Sequence, residues 1–256
     1  MYNSIYDSLN IGKKVIYLPS CHSTNDIAAE LVHKGPVEEG TIVITDNQVG
    51  GRGQRGSKWY TEPSLNLTFS IILRPKFIPV AEQFLISQMA ALAIYDYFSF
   101  YTNEVKIKWP NDIYISDKKI SGTLIENSIQ GASISYSIVG IGININQVNF
   151  SNPRSTSLAL ITGSMASLEV EFSKLVHSLD AGYLRLKSKL QQDHIRLSYL
   201  RHLHGYQQTI SFLLKNEIVK GTVTDITKSG RLCIKFEGKN EIQEFGLKEI
   251  EFLWDK

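Results

Sequence analysis

Cysteine is nearly absent, with Cys21 and Cys233 the only two among 256 residues. That excludes a disulfide scaffold and makes a reducing cytoplasm the expected location. No apolar run approaches the roughly 18–20 residues that span a bilayer. The longest, near Met89–Ile94, is broken by Asp96, and Met1–Lys14 is polar with no signal-peptide core, so no membrane partner is expected. Charge of one sign is lacking too: 27 Lys and Arg stand against 25 Asp and Glu, a net charge of +2. A chain that coats nucleic acid carries far more. Repeats, heptads and low-complexity tracts are missing. The remainder, 43% hydrophobic and 20% charged, fits a globular chain with a real core, one large domain plus a small one.

The pattern along the chain changes character twice. Val15–Leu18 and Thr41–Thr45 read as strands, and between them Ser23-Thr24-Asn25-Asp26 caps a helix carrying Ile27, Ala28, Leu31 and Val32, which ends near Gly35-Pro36. Leu65–Leu73 reads as a strand and Pro79–Phe98 as a long helix with a wide apolar face. Val105–Trp109, Ile113–Ile115, Ile120–Ile129 and Ser133–Ile145 form an antiparallel meander. Helical spacing returns over Leu168–Leu190 and near His194–Arg201. Beyond Gly205, the segments Thr209–Leu214, Glu217–Asp225, Arg231–Glu237 and Glu241–Phe245 are short strands, which together predict a small SH3-like β-barrel. The boundary falls near 204, giving domains 1–204 and 205–256. The fold class is α+β, a mixed β-sheet flanked by helices, followed by the barrel.

Three segments carry chemistry. Gly50-Gly51-Arg52-Gly53-Gln54-Arg55-Gly56 has no periodicity. Its glycines permit positive φ and exposed amide N–H groups, and its arginines offer forked donors for phosphate. It lacks the ending of a Walker loop, and an anion site and a mobile surface loop both fit. In Lys106-Ile107-Lys108-Trp109-Pro110-Asn111-Asp112 the two lysines share a strand face. That face is either simply solvated or places a lysine to hold phosphate or a developing oxyanion. In Gly140-Ile141-Gly142-Ile143-Asn144 alternate glycines make one face flat, with Asn144 on the same face. Either a helix or a ligand approaches it closely. Ser23-Thr24-Asn25 by itself is only a helix cap.

In this order the segments closely resemble the biotin protein ligases, the biotin–[acetyl-CoA-carboxylase] ligases. The matching text is Ser23-Thr24-Asn25, Gln48 with Gly51 through Trp59, Lys108 through Asp112, Lys119-Ile120-Ser121-Gly122, and Gly140 through Asn144. The resemblance implies a class II synthetase-like catalytic domain. It also implies ATP and Mg²⁺ as cofactors, biotin as substrate, and a carboxylase's biotin carboxyl carrier protein as partner. Biotin and ATP would give biotinyl-5′-AMP and pyrophosphate, and the biotinyl group would pass to a carrier lysine. Ser23, Thr24 and Gln48 match the family's ring contacts, and Trp59 lies along the aliphatic chain. Gly140 and Gly142 form the floor, Asn144 sits near the adenylate and metal, and Lys108 lies between carboxylate and α-phosphate. Arg52 joins Lys108 as a catalytic cation. Asn25, Gly51, Gly53, Gln54, Arg55 and Gly122 complete the expected binding set. The loop is expected to order over the acyl-adenylate, which water would otherwise hydrolyse.

Two departures accompany the resemblance. Many members carry arginine where this chain has Gln54, and a neutral amide cannot replace a permanent charge. Too few residues precede Ser23 for the DNA-binding domain of some relatives, so no DNA binding is expected. Lipoate or octanoate ligation on the same fold, and a non-catalytic RNA- or anion-binding module using the Gly-Arg loop, are the alternatives. Cys21-His22, His202 and His204 are not expected to bind metal, and no metal ligands are assigned. A homodimer is entertained through a meander edge at Ile134–Ile145.

Overall fold

The computed structural model describes Tyr2 and residues 10–253. A seven-stranded sheet has the order β1-β2-β3-β7-β6-β5-β4. Its strands are β1 (Val15–Cys21), β2 (Thr41–Gln48), β3 (Asn66–Leu73), β4 (Val105–Lys108), β5 (Asp112–Ile115), β6 (Lys118–Gln130) and β7 (Ser133–Asn144). β1 and β2 run parallel, joined across helix α1 (Thr24–Lys34), and every other pairing is antiparallel.

Alternation along the strands explains why both faces are covered. Val43 and Ile72 pack with Ala28 of α1 on one face. Ile42, Ile44, Phe69 and Ile71 join the larger core beneath α2 (Phe84–Ser99) and α4 (Leu168–Lys187) on the other. Strands buried on both sides must be apolar at nearly every position, so Ser70, wholly buried within β3, is an exception that needs a hydrogen-bonding reason. α2 is apolar on nearly every side because α4, the helix Lys189–His202 and the sheet enclose it.

The helical segment expected over Leu168–Leu190 breaks at Ser188, whose extended backbone (φ −86°, ψ 112°) separates α4 from α5 (Lys189–His202). A short helix, α3 (Leu158–Thr162), has too few residues for periodicity to reveal it. The expected pairing edge at Ile134–Ile145 is not an edge. β7 is bonded to β3 on one side and β6 on the other, and the outer strands are β1 and β4.

The second sheet is antiparallel, in the order β11-β10-β9-β8-β12. It comprises β8 (Thr209–Leu214), β9 (Glu217–Ile226), β10 (Leu232–Phe236), β11 (Ile242–Phe245) and the two-residue β12 (Glu251–Phe252), which the sequence pattern did not reveal. It is tied to the first at one turn. Trp109 Nε1 donates to the Gly230 carbonyl at 3.0 Å, and Glu82 bridges Arg196 (2.8 Å) and Lys228 (3.0 Å).

Candidate active site

The site lies where the first turn of α1, the end of β2 and the middle of β3, β7 and β6 meet. Ser23 caps α1, accepting from the Asp26 N–H, so its backbone falls where the chain turns from β1 into the helix. Gln48 ends β2, and its Oε1 accepts from the Thr24 N–H at 2.9 Å, which fixes which end of the amide is oxygen. Register then builds the floor. Gly122, Gly142 and Thr68 stand side by side on β6, β7 and β3, and Leu124, Gly140 and Ser70 form the next row.

The glycines serve close approach. A Cβ on Gly142 would lie 2.3 Å from the Trp59 indole, and one on Gly140 would lie 2.2 Å from Asn25 Oδ1. The two readings of this strand therefore divide: Gly140 admits the helix, and Gly142 admits the indole that walls the cavity. Trp59 Nε1 is buried without a hydrogen-bond partner among the described residues.

The loop is a small hairpin. Trp59 N–H donates to the Gly51 carbonyl at 3.0 Å and Gly53 N–H to the Ser57 carbonyl at 2.7 Å, around a single turn at Gln54–Gly56. Of its four glycines only Gly56 uses the permitted positive φ, +80°; Gly51 is needed because a Cβ would meet the Trp59 carbonyl at 2.3 Å. The Arg52 guanidinium, expected to face an anion, is here paired with Asp26 (2.6 Å) and Glu126 (3.1 Å). Gln54 Nε2 donates to Asn111 Oδ1 at 2.9 Å, tying the hairpin to the Trp-Pro-Asn-Asp turn. The Arg55 side chain lies outside the described residues.

Ser23, Thr24, Asn25, Gln48, Arg52, Gly53, Gln54, Trp59, Gly122, Gly140 and Gly142 all line one cavity. Lys108 and Asn144 do not. Lys108 lines a neighbouring cavity between the sheets, with Glu251 and Phe252. Its Nζ stands 5.3 Å above the centre of the Tyr114 ring. Burial pulls its pKa below the ordinary lysine value, with Asp112 and Glu251 opposing. Asn144 donates to the Thr156 carbonyl at 3.0 Å, leaving a buried Oδ1 with no partner among the described residues.

Among the cavity residues to which the sequence reading gave no role, two form an ion pair. Lys119 and Asp112 line the cavity as a half-buried ion pair of 2.6 Å, with Lys119 Nζ 5.6 Å from the centre of Trp59. Both stand inside motifs quoted above, and alternation from Gly122 does not reach Lys119 because the register of β5 and β6 shifts between Ile113 and Tyr114. Among the described residues no three His, Cys, Asp or Glu side chains are grouped to hold a metal ion.

Residues 17–144, half of the chain, match the biotin/lipoate A/B protein ligase family. The chain belongs to this family. Residues 208–246 match the biotin protein ligase C-terminal domain. Among curated relatives of this family, the bifunctional ligase/repressor BirA of Bacillus subtilis is 36% identical over 138 residues, covering 54% of this chain and 42% of that protein. The chain thus matches well under half the length of that relative. The biotin–[acetyl-CoA-carboxylase] ligase of Mycobacterium tuberculosis is 25% identical over 234 residues, covering 88% and 84%. The biotin protein ligase of Aquifex aeolicus, solved with biotin and ATP, superposes with a TM-score of 0.76 at 26% identity, covering 95% of this chain and all of that one. Among the described residues no helix is long and apolar enough to cross a membrane.

Proposed function

We propose that this chain activates biotin with ATP and transfers it to a lysine of a carboxylase's biotin carboxyl carrier protein. The observation that carries the reading is the cavity's division. Polar groups of Ser23, Thr24 and Gln48 line it together, with Thr24 and Gln48 hydrogen-bonded, and the Trp59 indole close against Gly142 supplies an apolar wall. A bicyclic urea on an aliphatic acid has that same division, and pockets of this kind orient a ligand with a few placed polar groups.

A carboxylate oxygen attacks the α-phosphorus, the α–β bridge breaks, and pyrophosphate leaves. Magnesium bound with ATP would neutralise charge on the triphosphate. Lys108 and Arg52 lower the cost of bringing two anions together. For Arg52 this requires exchanging a carboxylate partner for the ligand. The carrier amine then attacks the acyl carbon, the acyl–phosphate bond breaks, and AMP leaves as the amine gives up its proton. The hairpin over the cavity keeps water from the mixed anhydride.

A carrier partner and a cytoplasmic location follow from this reading. The test is incubation with biotin, MgATP and a carrier domain. A mass gain of one biotinyl group on the carrier is expected. Its absence, or selective binding and transfer of lipoate, overturns the reading.

A further inference from the structure

A buried chain of hydrogen bonds behind the cavity has only one consistent assignment of protons. Asn25 faces Glu126 Oε2 at 2.7 Å and the Leu124 carbonyl at 3.3 Å. Both accept, so its nitrogen must point there and its Oδ1 must point to Ser70 Oγ, 2.6 Å away. Two acceptors cannot face each other at that separation, so Ser70 gives its single proton to Asn25. Ser70 Oγ is also 2.7 Å from Thr24 Oγ1. With Ser70's proton spent, Thr24 must donate there, and Gln48 Oε1, at the longer 3.3 Å from Thr24 Oγ1, is already served by the Thr24 N–H.

We infer that Ser70, which is wholly buried and outside the cavity, is a specificity-setting positioning residue that presents Thr24 to the ligand as a hydrogen-bond acceptor only. The matching ligand group is an N–H donor, and the inference rests on the reading of the cavity as a biotin site. Glu126 and Leu124 fix the direction at the far end. Gly140 leaves room for Asn25, since a Cβ there would meet its Oδ1 at 2.2 Å.

The test is a ratio of affinities. Calorimetry compares biotin with its two ring carbamates, in each of which one ureido N–H is replaced by an ether oxygen. For the carbamate whose oxygen meets Thr24, the wild-type chain should favour biotin by about 30-fold, the size of one lost hydrogen bond with acceptors left facing. Ser70→Ala frees the Thr24 proton to turn towards the ligand, so the ratio should fall at least about fivefold. Ser70→Cys, which keeps the side-chain shape with a larger atom that is a poor acceptor, should move the ratio in the same direction. Loss of packing alone weakens all ligands together and leaves the ratio unchanged. An unchanged ratio in both variants, or no discrimination by the wild type, overturns the inference while biotin binding stands. A wild type that binds no biotin overturns the cavity reading and the inference with it.

Discussion

The two halves of the cavity are held by different physics. The floor end depends on short hydrogen bonds among groups almost wholly removed from water: Ser23, Thr24, Asn25 and Ser70 are each no more than 3% exposed. The hairpin end depends on ion pairs of Arg52 with Asp26 and Glu126, side chains that are each about two-fifths exposed. Buried, satisfied networks are costly to disturb, whereas exposed ion pairs contribute about 0–1 kcal/mol each. The rigid end suits recognition of a fixed ring. The weakly held end suits a segment that must let a nucleotide and then a carrier lysine reach the acid.

The largest effect should come from neither end. Lys108→Ala should abolish pyrophosphate release while biotin affinity stays within about tenfold, or roughly 1.4 kcal/mol; retained turnover would remove Lys108 from the chemistry. Because burial depresses the Lys108 pKa, its charge is lost at lower pH than an ordinary lysine's. The alkaline loss of adenylation should therefore move to higher pH in Lys108→Arg, as a pH–rate profile would show.

Next in size is Gly142→Val, which should raise the biotin dissociation constant about 100-fold by driving the indole from the floor. Calorimetry checks it, and near-normal affinity would mean that Trp59 is not the wall. Arg52→Ala should leave biotin affinity within about threefold, under 1 kcal/mol, yet speed tryptic cleavage after Lys58. If it costs as much affinity as Gly142→Val, the contrast between the two ends collapses.

The smallest effect sharpens the contrast from outside. Glu82 is drawn below its usual carboxylate pKa by its hydrogen bond to Arg196 and then by Lys228. That stabilisation is present above the unfolded carboxylate pKa and disappears as pH falls through the lowered folded value. Glu82→Gln should cost about 1 kcal/mol at neutral pH and nothing in acid, as denaturant melts at both pH values would show.

Much of the fold was legible because alternation and caps are local signals. Ser23 announced the start of α1, and the apolar runs of β2 and β3 announced strands. Register was not local: nothing within Ile134–Ile145 shows that β3, some sixty residues earlier, claims its free edge. The cavity was legible wherever a motif named its residues. Asp112 and Lys119 lay within quoted motifs, but their ion pair comes from a fold-back across β5. Ser70 could have been found as a hydroxyl in an apolar strand, whereas the pairing of Arg52 with Glu126 joins residues 74 apart in sequence.

The Trp109–Gly230 bond has a consequence for synthesis. The turn beside Lys108 borrows its final acceptor from a sheet translated more than a hundred residues later. In a nascent chain whose first sheet has folded, that indole N–H is left to water, so the turn should reach its final setting only when the segment around Gly230 has emerged from the ribosome and docked.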